Sequence, residues 1–423
     1  RISITKTVKG LSLFISASMI LAGIAAMIRF DGYDKTVEGL HLIFFSPCPL
    51  VTDYFVLGCV SSTFINAGLC GLAFFLFMHF LKASCAASTL AGFFLVIAHG
   101  FYGLNFINMW PPVLSIVLFC RASKVRFRDN LDMAMFATAF GPFFSELFFR
   151  YTLGRTFLIL KYTFSGPGPV LAVLMLPGAL KLHKGYNLYN GGLAFGLLGM
   201  FLYSVMYKTF GLTQVQTVAN ISYKSGLPTH GIFVKKYYLS LFGVILIAGW
   251  WLNGRSCRGY GALLKDTGHQ TNFFTKYSPS LVLINLGLYG LMMLLYFDLA
   301  IYFTEGDAYT GATTGIILAA MTFCAAGQHP RNVWPILAGY VLLSVVVHLV
   351  SYAYGLEVPW TVSTQAYMNA AAFATGLCPF TGVYGKKAGI LAGFISAVMC
   401  TSTSIMHGGF VLYNGGLTAG ITA

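Results

Sequence analysis

HKGYNLYNGGLAFG, residues 183 to 196, and HGGFVLYNGGLTAG, residues 407 to 420, agree at nine of fourteen positions at an offset of 224. Each lies beside strongly apolar sequence, so a polar, glycine-rich run has been written twice into an oily chain. Three more pairs keep the same order. FINAGLCGL (64–72) recurs as LINLGLYGL (283–291), GLNFINMWP (103–111) as GQHPRNVWP (327–335), and FATAFGP (136–142) as FATGLCP (373–379). Their offsets are 219, 224 and 237. Four matched stretches in one order argue for an internal duplication, with a first repeat at 1–208, a linker at 209–235 and a second repeat at 236–423.

Composition fixes the solvent of this duplicated unit. Of the 423 residues 57% are hydrophobic and 9% charged, against about 25% charged in ordinary soluble domains, and the mean hydropathy is +0.75. Runs such as Gly10 to Ile28 and Asn332 to Tyr352 approach or exceed the roughly 20 residues that span a bilayer as a helix, and the short alternating strands of a membrane barrel are absent from the sequence. The expected fold is all-α: a polytopic integral membrane protein of two structural repeats with about seven helical elements each, some broken or re-entrant. The net charge of +14 sits in small basic groups between apolar spans, which points to cytoplasmic anchoring and away from nucleic acid. The nine cysteines have no paired spacing and read as small buried hydrophobes. The first apolar run reads as a spanning helix, not a removable signal.

In the first half the elements are expected at 9–28, 54–81, 86–102, 109–121, 132–149, 167–182 and 187–207. Loop charge tests their orientation. After element four, Arg121, Lys124, Arg126 and Arg128 face a counterpart loop holding Glu357 alone. After element one, Asp31, Asp34, Glu38 and Asp53 accompany a single Lys35, whereas the counterpart holds Arg255, Arg258, Lys265 and Lys276 with Asp266. After element two, Lys82 stands against Asp298, Glu305 and Asp307. Lys and Arg thus vote for opposite orientations of the two halves: an inverted repeat with a cytoplasmic N-terminus. Arg150, Arg155 and Lys161 dissent, which fits an element five that re-enters instead of crossing.

Inside hydrocarbon every backbone N–H and C=O must be paired, so Asn-Gly and Gly-Gly steps are tolerated where helices, water or a cavity surround them. Inverted-repeat transporters gather such broken segments into a substrate site. Tyr189, Asn190, Gly191 and Gly192, with Tyr413, Asn414, Gly415 and Gly416, are therefore the first candidates for binding a small polar solute; the alternative is close helix packing through the glycines with Asn as interhelical glue. Asn66 and Asn285 are second candidates, standing either at a break in the long second element or in an intact, notched helix. The N-x-W-P pairs, Asn108 and Asn332 with their Trp and Pro, read as helix starts at headgroup depth. Gln328, His329 and Arg331 add polar and basic groups to the second copy, suited to an acidic lipid or an anion. Thr138, Pro142, Thr375 and Pro379 predict a kink or re-entrant hairpin in element five. Glu146 is a candidate proton-handling carboxylate, with Arg150 four residues later as a neutralising partner. His183 and His407, matched between the halves, are candidates for gating or proton handling. The unmatched His79, His99 and His348 are expected to be satisfied by neighbouring backbone.

An enzyme is the competing class. The twelve acidic residues lie mostly in loops, and no H-E-x-x-H, G-x-S-x-G or P-loop appears. The sequence calls for no catalytic residue, metal or cofactor. Its expected partners are the lipid bilayer, a small polar solute and a second copy of the chain in a homo-oligomer. A membrane-embedded enzyme or a lipid-binding protein is the alternative.

The LYNGGL motif closing each half, with N-x-W-P and F-A-T-x-x-x-P before it, resembles an uncharacterised family of bacterial polytopic membrane proteins over nearly the whole chain. That resemblance implies an inner-membrane location and supplies no substrate or catalytic residue. FINAGLCGL and GYNLYNGGL also look somewhat similar to motifs of urea transporters, whose halves are inverted, although no Pro follows Asn66 and the second motif falls at the end of each half. This likeness implies uncoupled passage of a small neutral solute.

Overall fold

In the computed structural model the described residues are 3–50, 52–150, 170, 178–211, 228–304, 309–358, 360–406 and 412–423. Most of element six of the first half and of the linker, Arg155, Lys161, Glu305, Asp307 and His407 lie outside them, as does the side chain of Arg150. The first half supplies α1 (Ile4–Ala26, continued by a π-helical turn to Asp31), α2 (Tyr33–Phe45), α3 (Tyr54–Leu57), α4 (Val60–Phe80), α5 (Ala87–His99), α6 (Trp110–Ala122), α7 (Leu131–Ala137), α8 (Gly141–Ser145) and α9 (Asn190–Tyr203). The second supplies α10 (Pro228–Leu252), α11 (Tyr260–Leu263), α12 (Phe273–Lys276), α13 (Pro279–Phe303), α14 (Gly311–Ala320), α15 (Pro330–Tyr354), α16 (Gln365–Ala374), α17 (Cys378–Tyr384), α18 (Lys386–Met406) and α19 (Asn414–Thr422). No strand occurs among the described residues.

Six helices among the described residues are long and apolar enough to cross a membrane: Ile4–Asp31, Val60–Phe80, Asn190–Thr209, His230–Leu252, Pro279–Phe303 and Pro330–Tyr354. Large apolar side chains such as Leu21, Ile28, Ile247 and Leu349 stand exposed on them, as a surface solvated by lipid requires. The protein is a multi-pass, all-helical membrane protein. Its helices start where local chemistry satisfies free N–H groups. Ser3 Oγ accepts from the N–H of Lys6 at the start of α1, and Ser278 Oγ accepts from Leu281 ahead of Pro279 in α13.

The matched segments adopt matched structure. α3 and α12 are four-residue helices at the same offset, each followed by a two-residue interruption and a spanning helix. The long second element therefore breaks at Gly58–Cys59 and at Tyr277–Ser278, while α4 and α13 run unbroken through Asn66 and Asn285. α5 and α14 have 13 and 10 residues, about 20 and 15 Å at 1.5 Å per residue, too short for a core of roughly 30 Å. Both end in a run of turns before the N-x-W-P helix begins. Element five is interrupted by a 3₁₀ turn at Thr138–Phe140 in one half and at Thr375–Leu377 in the other. Each Thr hydroxyl donates to a carbonyl three residues back, Met135 and Ala372, at 2.6 Å, and Pro142 and Pro379 start the helix beyond.

Direction follows from the contacts at the ends. Cys85, just before α5, donates its N–H to Thr5 Oγ1, so α5 starts on the side of the N-terminus. Asp53, which caps α3 just ahead of α4, accepts the N–H of Gly311 at the start of α14 through Oδ1 at 2.9 Å. α14 follows the end of α13 by a short connection, so α13 ends where α4 begins. The matched helices thus run in opposite directions. One expectation is corrected: the stretch 30–53, read as an acidic loop, contains the thirteen-residue α2, which packs on the start of α4 through Thr36 Oγ1, 2.7 Å from Ser61 Oγ.

Candidate functional site

The site is built from the turns that follow the two short helices. A helix end inside a membrane protein leaves carbonyls that need donors, and here one buried asparagine per half supplies them. Asn66 donates through Nδ2 to the carbonyls of Gly100 and Leu104 at 2.8 and 3.0 Å. Asn285 donates to those of Cys324 and Gln328 at 2.9 and 2.8 Å, which are the same two carbonyls displaced by 224. Asn66 Oδ1 also accepts the N–H of Phe106, whereas Asn285 Oδ1 accepts the hydroxyl of Tyr260. Both side chains are fully buried and fully engaged in protein contacts in this conformation.

A second matched pair folds the turn itself. Asn108 and Asn332 donate to the carbonyls of Gly103 and Gly327 at 2.9 and 2.8 Å and accept the N–H of Asn105 and His329. Gly103 and Gly327 have positive φ, which only glycine adopts without strain. These asparagines are buried and their partners are turn backbone. Asn105 and His329, equivalent residues, each reach the carbonyl of a preceding segment: Ile43 for Asn105 Nδ2 and Asp266 for His329 Nε2.

The twin Tyr-Asn-Gly-Gly runs are helix starts. Tyr189 and Tyr413 precede α9 and α19, whose first residues are Asn190 and Asn414. Each motif docks in the other half. Leu188 donates its N–H to the carbonyl of Gly376, and Leu412 donates to that of Ala139, both at 3.0 Å; Gly376 and Ala139 are the middle residues of the two 3₁₀ breaks. The side chains of Leu188 and Leu412 approach Gly327 and Gly103 in the same reciprocal way. Tyr189 donates its hydroxyl to the carbonyl of Ala319, and Tyr413 to that of Phe136. The two helices then cross. A Cβ on Gly192 would overlap the backbone of Gly416, one on Gly196 would lie 2.7 Å from Leu417 Cβ, and one on Gly420 would lie 2.8 Å from Leu193 Cβ. Gly196 and Gly420, like Leu193 and Leu417, are equivalent residues, so the contacts on either side of Gly192–Gly416 are reciprocal. Gly415 packs on Phe373, and Gly191 is half-buried at the start of α9.

The structure thus brings Tyr189, Asn190, Gly192, Tyr413, Asn414, Gly415 and Gly416 to one seam, with Asn66 and Asn285 supporting the turns beside it. His183 is buried near Asn190 and accepts the N–H of Gly185 through Nδ1 at 3.3 Å. Glu146 is buried at the start of a π-helical turn, electrostatically close to Cys48. His348 Nδ1 donates to the carbonyl of Ser344 at 2.7 Å, the local partnership expected of it.

His99 departs from expectation. It is fully buried, and neither ring nitrogen has a hydrogen-bond partner among the described residues; the hydroxyl of Tyr102 beside it has none either. The offset of 224 that aligns Gly103 with Gly327 makes His99 the counterpart of Phe323. Tyr189 packs edge-on against Phe323 at 4.6 Å and Tyr413 lies 5.5 Å from the His99 ring. The sequence contained this equivalence, although a histidine opposite a phenylalanine does not register as a repeat.

The sequence profile of the family described as "Protein of unknown function (DUF1576)" matches residues 33–208 and 252–423. These two stretches make up most of the chain, which therefore belongs to that family, and each begins after the first spanning helix of its half. No curated protein and no solved structure matches the chain.

Proposed function

We propose that this DUF1576 chain is a channel or secondary transporter, and not an enzyme, that moves a small polar solute along the seam between two inverted halves. The observation that carries the reading is the reciprocal docking of Leu188 on Gly376 and of Leu412 on Ala139. Each half presents an interrupted helix, and the partner half completes it with one backbone hydrogen bond and the start of a helix. The N–H groups at the starts of α9 and α19 give both motifs a partial positive charge, and Asn190 and Asn414 add amide donors and acceptors without the cost of burying an ion. In the described conformation the Gly192–Gly416 contact closes the seam. Separating the halves there breaks the two backbone and two tyrosine hydrogen bonds described above and exposes polar backbone to a passage, as in the rigid-body alternation of inverted-repeat transporters.

Charge supports an orientation in the cytoplasmic membrane of a bacterium with the N-terminus inside. Lys6 near the start of α1 lines a groove with Leu252 at the end of α10, so the N-terminus and the basic loop carrying Arg255, Arg258, Lys265 and Lys276 share a side. Phe127, within the basic segment after α6, lies 6.0 Å from Phe77 near the end of α4, on that side as well. The opposite face carries Asp31, Asp34 and Asp53.

The test is reconstitution in liposomes, with swelling and counterflow measured for urea, acetamide and glycerol. The parent should exceed protein-free vesicles for at least one of them, and Asn190→Leu combined with Asn414→Leu should slow that flux at least tenfold while remaining folded. A parent indistinguishable from empty vesicles for all three, or a folded double variant as fast as the parent, contradicts the proposal.

A further inference from the structure

We infer that His99 and Tyr102 form a hydrogen-bonding site for a small uncharged solute that both donates and accepts, on the first half's side of the seam. The inference rests on the transport reading above. Three buried polar atoms without hydrogen-bond partners among the described residues, His99 Nδ1, His99 Nε2 and Tyr102 Oη, belong to two rings whose centroids are 5.5 Å apart. A buried donor or acceptor left unpaired carries its full desolvation penalty, so one such atom asks for an explanation and three together ask for a ligand.

The equivalent place in the second half shows what packing alone would choose. There Phe323 replaces His99 and Ala326 replaces Tyr102, and Tyr189 seats against the phenyl ring as Tyr413 seats against the imidazole. Of the polar groups nearby in that half, Gln328 Nε2 donates to Thr375 Oγ1 at 2.7 Å and Gln328 Oε1 accepts the N–H of Phe323, while the Tyr289 hydroxyl has no hydrogen-bond partner among the described residues. Two copies of one fold thus hold the same aromatic position, one with an apolar ring, the other with an imidazole and a neighbouring phenol whose three polar atoms have no hydrogen-bond partner among the described residues.

The class of ligand follows from the walls. The rings around His99 are Tyr102, Phe373 and Tyr413, none of which carries a charge at neutral pH. An ion there would lack a counter-charge in a low-dielectric setting. A neutral imidazole offers one donor and one acceptor, and a phenol offers one of each, so the complementary molecule is uncharged and carries both. Tyr413 belongs to the motif that docks across the seam, which puts the pair next to the contact that must open.

The test has two arms. In the first, protein labelled with ¹⁵N-histidine is titrated with urea, acetamide or glycerol, with ammonium chloride as the charged control, and the His99 signals are assigned by their loss in His99→Phe. At least one uncharged probe should move them and ammonium should not; no movement with any uncharged probe, or movement with ammonium alone, overturns the inference. In the second, His99→Phe, which installs the residue the other half already uses, should melt no lower than the parent and lose at least tenfold in solute flux. Tyr102→Phe, which deletes one hydroxyl, should lose flux in the same direction and serves alone if His99→Phe does not fold. Unchanged flux in a folded variant overturns the inference. A parent without flux whose His99 signals still respond would remove the transport reading and leave the binding site standing.

Discussion

Replacing Asn66 by Leu tests whether this residue is structural cement or a solute ligand. The side chain makes three hydrogen bonds, donating to Gly100 O and Leu104 O and accepting from Phe106 N at 2.8, 3.0 and 3.1 Å. Leucine nearly preserves the volume and leaves all three backbone groups unpaired in a fully buried place. At about 1–3 kcal/mol for each of the three stranded groups, the loss is about 3–9 kcal/mol. Interhelical hydrogen bonds in membrane proteins average nearer 0.6 kcal/mol, which sets a floor of about 2 kcal/mol for three. Asn285→Leu strands the equivalent two carbonyls and the hydroxyl of Tyr260, so it should cost a similar amount. Asn66→Asp, although isosteric, should be worse, because it aims a carboxylate at two carbonyl oxygens. The assay is thermal unfolding in detergent, followed by a thiol-reactive dye that reports the buried cysteines. An Asn66→Leu protein that melts with the parent, whether or not it transports, would refute the assignment of this residue to the turn.

Two further outcomes follow from the same contacts. Gly192→Ala should destabilise by about 1–3 kcal/mol through overpacking and Gly416→Ala by less, because a Cβ on Gly192 overlaps the partner backbone whereas one on Gly416 meets Gly192 Cα at 2.9 Å; melting temperatures of the two variants rank them. Asp266 lies in the loop between α10 and α13, outside the spans, where burial raises its carboxyl but the Lys276 ammonium at 2.7 Å, the Gly268 N–H and the Tyr277 hydroxyl outweigh burial and hold it below the usual carboxylate range. A lowered folded-state value means stability that is complete above the ordinary carboxylate range and lost as pH falls through the folded value. Lys276 is half exposed, so the effect is about 1 kcal/mol or less. Melting curves from pH 7 to pH 3 should show a fall in the parent that is smaller in Asp266→Asn, and equal falls would contradict the assignment.

The parts of this fold legible in sequence are those where one residue type has one structural use. The F-A-T-x-x-x-P runs predicted a break because proline withholds a hydrogen bond and threonine can replace it, and both copies break at the threonine. The Tyr-Asn-Gly-Gly runs were legible as helix interruptions, since glycines pack backbones closely and asparagine satisfies freed groups. Asn66 was harder, because its partners lie 34 to 40 residues away and local sequence does not reveal that an asparagine serves another segment's turn while its own helix stays intact. α2 was hidden by its charges: Asp34, Lys35 and Glu38 read as loop residues, and the helix shows itself only through its packing on α4 at Thr36 and Ser61. His99 was hidden by a difference, since a repeat search rewards identity and its equivalence to Phe323 appears only when the offset is carried through a mismatch.

The most direct test of the seam is to lock it. Gly196→Cys and Leu417→Cys, made in a Cys257→Ser background to remove the exposed thiol, put two sulfurs across the α9–α19 crossing, where a Cβ on residue 196 lies 2.7 Å from Leu417 Cβ. Solute flux in proteoliposomes is then measured before oxidation, after copper-phenanthroline, and after reduction. The account predicts an intramolecular disulfide that stops the flux and a reductant that restores it; a fully cross-linked protein that conducts as fast as the reduced one would show that the solute does not pass where the halves meet.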